Sequence, residues 1–173
     1  MRNGSILLLA IFLFCSCNGD RLDRKEHPIY FELPAFFKKE AKRLTIAQPM
    51  VEKTVSINGS KEQKKLKVDW DREFGEFIEA DINKASWSGM FAFSASDTSE
   101  TYISQSDKIP VKQLEIKKNG NRIRSIKLII INDNDLYRSH DTLSYYPDTL
   151  YHIIKSQKIK LMEQKRFEVV GRF

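Results

Sequence analysis

From residue 51 to the C-terminus the chain alternates apolar with polar side chains at a period of two, and Asn-Gly interrupts that alternation at residues 58–59 and 119–120. A period of two puts one set of side chains on each face of an extended strand. Asn-Gly accepts the positive φ of a two-residue type I′ hairpin. The pattern therefore predicts antiparallel hairpins joining 51–57 to 61–68 and 111–118 to 121–132. Trp87, Phe91 and Phe93 continue the alternation, Tyr102 and Ile103 suggest a further strand, and later strands fall at 143–146, 150–160 and 166–173. Residues 126–131 are apolar at every position but Lys127, as in a central strand covered on both faces.

Two segments have helical period instead. Pro34 suits a first helical turn, and Leu33, Phe36, Phe37, Ala41 and Leu44 fall on one side, with Lys38, Lys39, Lys42 and Arg43 opposite. A second helix opens at Asp69, a good N-cap, and aligns Trp70, Phe74, Phe77 and Ile78. Two helices in the N-terminal half followed by strands predict an α+β fold: a curved, mainly antiparallel sheet with both helices on one face. A half-open barrel is a close variant. Aromatic stripes at this spacing serve a packed core, although Trp70, Phe74, Phe91 and Phe93 could instead line a cavity for an apolar ligand.

The N-terminus carries an address. Arg2, an apolar run from Ile6 to Phe14 and then Cys15, Ser16 and Cys17 have the charged, greasy and small-residue zones of an export signal. The run is shorter than the ~20 residues a spanning helix needs. The stretch Phe14-Cys15-Ser16-Cys17 resembles the lipobox of bacterial lipoproteins, which implies diacylation of Cys17 and cleavage before it; cleavage nearby by ordinary signal peptidase is the alternative. Both cysteines lie at this cut, so the exported domain folds without a disulfide and Cys17 has no pairing partner. The expected organisation is a signal at 1–16, a lipidated cysteine and polar tether at 17–28, and a single domain at 29–173.

Chemistry-bearing clusters are sparse. The net charge is +6, but the lysines are scattered, and Lys61, Lys64, Lys65 and Lys67 lack interleaved aromatics to stack bases, so no nucleic acid is expected. They read better as a lysine-blunted edge strand. His27, His140 and His152 have no metal-ligand spacing, and no metal or other cofactor is predicted. His140 with Asp141 and either Ser139 or Ser144 has the residue types of a nucleophilic site, but neighbours along a strand rarely converge. Asn132, Asp133, Asn134 and Asp135 carry oxygen ligands for Ca²⁺ and equally the composition of a turn. Glu32, Glu40 and Asp81 are acids with nothing to single them out.

Residues 80–87 (Ala-Asp-Ile-Asn-Lys-Ala-Ser-Trp) and the ending Gly171-Arg172-Phe173 are similar to segments of small Bacteroidota envelope lipoproteins. Asp141-Thr142-Leu143 and Asp148-Thr149-Leu150 look like the O-glycosylation acceptor of that group, which would make Thr142 and Thr149 sugar sites; otherwise they are strand and turn residues. These resemblances imply a lipid-anchored protein of the bacterial outer membrane, facing the periplasm. The expected role is a non-catalytic module that binds an envelope protein or glycan. A carrier of lipid, resembling the lipoprotein localisation factors, is the alternative, and an enzyme of envelope polymer the weaker third.

Overall fold

The computed structural model describes residues 29–173. Residues 1–28, with the expected export signal and tether, Cys17 and His27, lie outside the described residues. The described residues form an α+β fold: an antiparallel nine-stranded sheet, not closed into a barrel, with three helices.

Helix α1 (Leu33–Ala47) starts with a proline in its first turn and buries Leu33, Phe37, Ala41 and Leu44 along one stripe, as its period predicts. It stops where Gln48 takes a left-handed conformation, with φ 48°, and returns its N–H to Leu44 O. A hairpin of β1 (Val51–Ile57) and β2 (Ser60–Leu66) follows. Asn58 and Gly59 turn it, both at positive φ (49° and 92°) as the sequence predicts.

The predicted second helix is broken in two. Asp69 caps α2 (Trp70–Glu73), its carboxylate accepting from Asp71 N and Arg72 N. Phe74, at φ −94° and ψ 3°, interrupts the helix before α3 (Gly75–Glu79). Glycine at position 75 lowers helix propensity where the chain must bend, and Phe74 and Phe77 both stay fully buried across the break. Trp87 lies in a short 3₁₀ turn, Ala85–Trp87, rather than on the strand expected there.

The remaining strands run as a meander: β3 (Phe91–Ala95), β4 (Ser99–Ser104), β5 (Val111–Asn119), β6 (Arg122–Asp133), β7 (Tyr137–Tyr146), β8 (Leu150–Ile159) and β9 (Lys165–Arg172). The β5–β6 turn differs from expectation. Its central residues are Gly120 and Asn121, flanked by the pair Asn119↔Arg122, and only Gly120 has positive φ, a pattern of type II′ rather than I′. Register shifts interrupt the β5–β6 ladder twice, with Lys112 as the extra residue on β5 and Arg124 as the extra residue on β6. β9 finishes beside β1, giving the order β2-β1-β9-β8-β7-β6-β5-β4-β3.

Two ladders of inward side chains make the floor of the core. Leu114, Leu128, Leu143, Ile153 and Val169 pair in register across β5 to β9. Beside them run Ile116, Ile126, Tyr145, Tyr151 and Gly171. Ile126 and Leu128 are fully buried, whereas Ile129 and Ile131 face the other side of the sheet and are half-buried. The run, which carries the exposed Lys127 on its outer side, is thus sealed on one face only, because the helices occupy one face.

Tyr145 and Tyr151 face each other across β7 and β8 and reach up into the helices. Tyr145 Oη donates to Glu40 on α1 at 2.5 Å, and Tyr151 Oη donates to Glu73 on α2. Their rings meet Phe37 and Phe74 edge-on, at 5.2 and 6.2 Å respectively. Burial, then the glutamate acceptor, pushes both phenols above the ordinary tyrosine range.

Gly171 is fixed by Tyr151. A Cβ there would sit 2.3 Å from Tyr151 Cε1, and the ring is wholly buried beside Trp70 and Phe74, so it has nowhere to swing. Gly171→Ala should cost about 1–3 kcal/mol by overpacking, read as a lower urea midpoint. Gly75→Ala meets nothing within 4 Å and should be neutral or slightly stabilising. The raised phenols also fix the sign of the alkaline limb. Both tyrosines keep protons in the folded state that the unfolded chain releases near pH ~10, so stability is whole below that pH and falls above it. The two together should remove about 2.7 kcal/mol of stability between pH 9 and 11; a urea series over that range should show this loss, halved in Tyr145→Phe.

Candidate functional site

The hairpin β1–β2 and the strand β3 lie on opposite edges of the sheet, so residues 67–90 must cross its helical face. α2 and α3 make most of that crossing. The remainder, residues 80–90, lies against the N-terminal end of α1. Asp81 Oδ1 accepts Asn83 N at 2.9 Å, folding the start of the loop. Asn83 then clamps the chain entering α1: its Oδ1 accepts Tyr30 N at 2.9 Å, and its Nδ2 donates to Phe31 O at 3.0 Å. Tyr30 Oη accepts Phe91 N at 3.3 Å, and its ring packs edge-on against Phe91 and Tyr102.

This clamp leaves an open groove of about 840 Å³. Ile29, Glu32, Pro34 and Lys38 form one wall, and Asp81, Lys84, Ala85 and Ser88 form the other. Each wall carries one acid and one base facing solvent, a lining suited to a polar, uncharged or zwitterionic stretch of peptide or glycan rather than to lipid.

A smaller cavity of about 200 Å³ lies on the other side of the same loop. Glu76, Glu79 and Ala80 of α3 cover it, Lys84 and Trp87 wall it, and Val111, Ile130 and Asp141 make its sheet side. Lys84 Nζ stands 4.3 Å above the Trp87 ring. Asp141 is only 8% exposed, and among the described residues its Oδ1 has no hydrogen-bond partner. Lys155, directly across the ladder from Asp141, bonds Glu76 at 2.7 Å instead. Burial raises the Asp141 carboxyl above the ordinary aspartate range, Lys155 opposing and Glu76 reinforcing the shift.

The other sequence candidates do not assemble into one site. Trp70 and Phe74 pack in the core, 5.3 Å apart, and Trp70 also holds Phe173 at 4.7 Å. Phe91 is buried against Tyr30, and Phe93, 57% exposed, packs on Tyr102 near the sheet edge. None of these four aromatics borders the groove or the cavity, so the expected apolar lining is spent on packing. His140 and Asp141 point to opposite faces of β7, as successive strand residues must, and Ser139 accepts from Asn132 Nδ2. Ser144 does sit across from His152, whose Nε2 lies 2.9 Å from Glu168 Oε1. No hydrogen bond joins Ser144 to His152 among the described residues, and this trio lies on the face away from the helices.

Asn134 Oδ1 takes Leu136 N and Tyr137 N, and Asp133 binds Arg138 at 2.8 Å, so the Asn/Asp cluster closes the β6–β7 turn. Among the described residues no group of three or more His, Cys, Asp or Glu is set to hold a metal. Lys61, Lys64 and Lys65 line the exposed edge strand β2. Glu40 and Asp81 are engaged by Tyr145 and Asn83, while Glu32 borders the groove. Thr149 is exposed in the β7–β8 turn; Thr142 is half-buried in mid-strand on the outer face. No family model, curated protein or solved structure matches the chain.

Asp141 was legible in the sequence through its parity. On a strand whose inward residues include Leu143 and Tyr145, an aspartate at 141 must also face inward. The groove was not legible, because it arises where two segments 50 residues apart are clamped together.

A carboxyl raised by burial binds its proton more tightly folded than unfolded. Its contribution therefore favours folding below the ordinary aspartate value and is lost as pH rises through the raised one. Asp141→Asn should accordingly melt a few degrees above the parent protein at pH 7, the difference vanishing as pH falls below the carboxylate range; thermal melts across pH 3–8 measure this.

Proposed function

We propose that the chain is a lipid-anchored module of the bacterial cell envelope, held by Cys17 at the outer membrane and facing the periplasm, where it binds a protein or glycan without catalysis. The observation that carries this reading is the export signal ending in Cys17, after which no further cysteine occurs. Among the described residues no helix is long and apolar enough to cross a membrane, so an anchor would come from acyl chains, each buried CH₂ contributing about 0.8 kcal/mol.

Binding rather than catalysis is favoured by how the acids and bases are used. Glu40 holds Arg43 and Tyr145, Glu73 holds Lys53 and Tyr151, and His152 is paired with Glu168, which ties each to the architecture. The groove at residues 29–38 and 81–88 is where a partner would dock. Residues 17–28 can reach at most about 40 Å when fully extended, so the groove would stay near the bilayer.

Growth with a clickable fatty acid should label the protein, and Cys17→Ala should abolish the label and release or retain the protein as unprocessed precursor. An unlabelled protein, or an unchanged distribution for Cys17→Ala, would refute the anchor. A photo-crosslinking residue at Ser88 should trap a discrete envelope adduct that the same probe at Gln63, on the far edge strand, does not.

A further inference from the structure

We propose that the cavity over Asp141 is a binding site for a small ammonium group, supplied by a free alkyl amine or by a lysine side chain, with the Asp141 carboxylate as counter-ion. The inference concerns a site separate from the groove and does not depend on the lipid anchor.

Four observations converge on this chemistry. Asp141 is more than nine-tenths buried, lines the cavity and has an oxygen without a partner among the described residues. A buried acceptor left unpaired is costly, so the site is arranged for a donor it does not itself supply. The two nearby cations are committed elsewhere, Lys155 to Glu76 at 2.7 Å and Lys84 to the face of Trp87 at 4.3 Å.

The wall chemistry selects the sign of the guest. Glu76 and Glu79 stand with Asp141 around the cavity, against Lys84 alone on its lining, which disfavours an anion. A metal ion has no prearranged set of ligands among the described residues. Ala80, Pro110, Val111 and Ile130 add apolar surface for a short stem, beside the edge of the Trp87 indole.

The size limits the guest as well. About 200 Å³ is below the roughly 300–1,000 Å³ of ordinary small-molecule sites, so it suits the end of a chain of four or five carbons better than a whole sugar or nucleotide. Burial raises the Asp141 carboxyl above the ordinary aspartate range, and an incoming ammonium favours the ionised form. Binding should then release a proton and strengthen as pH rises through the raised carboxyl. The charged and polar groups near Asp141 in that titration are Glu76 and Glu79 from α3, Lys84 from the loop, Lys155 from β8, Ser139 on the same face of its own strand, and His140 beside it on the opposite face.

Titration of the full-length protein in nonionic detergent tests this, followed through the Trp87 indole resonance in ¹⁵N spectra. n-Butylammonium should shift that resonance with a dissociation constant of about 1–10 mM, and 1-butanol, of equal length and neutral, should bind at least about tenfold more weakly. Asp141→Asn should lose about tenfold or more in butylammonium affinity while melting at or above the parent temperature. Nα-acetyl-lysine methylamide binding as tightly as butylammonium assigns the site to protein lysine; clearly weaker binding assigns it to free amines. Equal shifts with butylammonium and butanol, unchanged affinity in Asp141→Asn, or no shift at about 50 mM butylammonium, well above the expected constant, would each overturn the proposal.

Discussion

Tyr145 and Tyr151 connect the two layers of this protein. They stand as a direct cross-strand pair at the centre of the sheet, and each phenol reaches a glutamate on a different helix. A buried hydroxyl must find a partner, and these two find theirs only where α1 and α2 are correctly seated. The same two glutamates bind Arg43 and Lys53, so each hydrogen bond is one member of a small charged network. Apolar stripes alone would let the helices slide over the floor; two phenol-to-carboxylate bonds on separate helices fix both position and rotation. Gly171 completes the arrangement from below, since only a residue without Cβ leaves room for the Tyr151 ring over β9.

The crossover from one sheet edge to the other follows from topology, and it creates both concavities. Once the β1–β2 hairpin docks beside β9 and the meander starts at the opposite edge, the intervening chain has to pass over the helical face. α2 and α3 are short, four and five residues, and leave the sheet row containing Ile130 and Asp141 incompletely covered. The loop at 80–90 then roofs that row on one side and meets α1 on the other. Lys84 borders both spaces, so the groove and the Asp141 cavity share a wall.

Where local chemistry decides the conformation, the sequence was readable. Asn58-Gly59, the Asp69 cap, the Leu33-Phe37-Ala41-Leu44 stripe and the lysine-rich edge each depend on neighbours within a few residues. The failures have a common cause in longer-range packing. The Asn119 turn shifts by one residue because a β-bulge at Lys117/Lys118 resets the register before it. The second helix breaks at Phe74, and Phe74 and Phe77 both meet Tyr145 across the break, at 5.2 and 6.5 Å. Trp87 leaves the strand alternation because it belongs to the crossover. Pairing of β1 with β9 joins residues more than a hundred positions apart, and no local pattern encodes it.

A domain without disulfides, held by one end, must carry load through its packing. An anchor at Cys17, as proposed, would deliver that load at Ile29, beside the groove. There Asn83 grips the backbone of residues 30–31, and Tyr30 is fastened to Phe91 and Tyr102. Tension on such a tether would thus reach the edge strand β3, its neighbour β4 and the loop at 80–90 before it reached α1 or the tyrosine pair. With such an anchor, the loop that walls both concavities would be the element most directly coupled to it, and a ligand that braces Lys84 or Trp87 would stiffen the same element. Partner binding and attachment to the bilayer would meet in one short segment, while the aromatic core beyond it keeps its register.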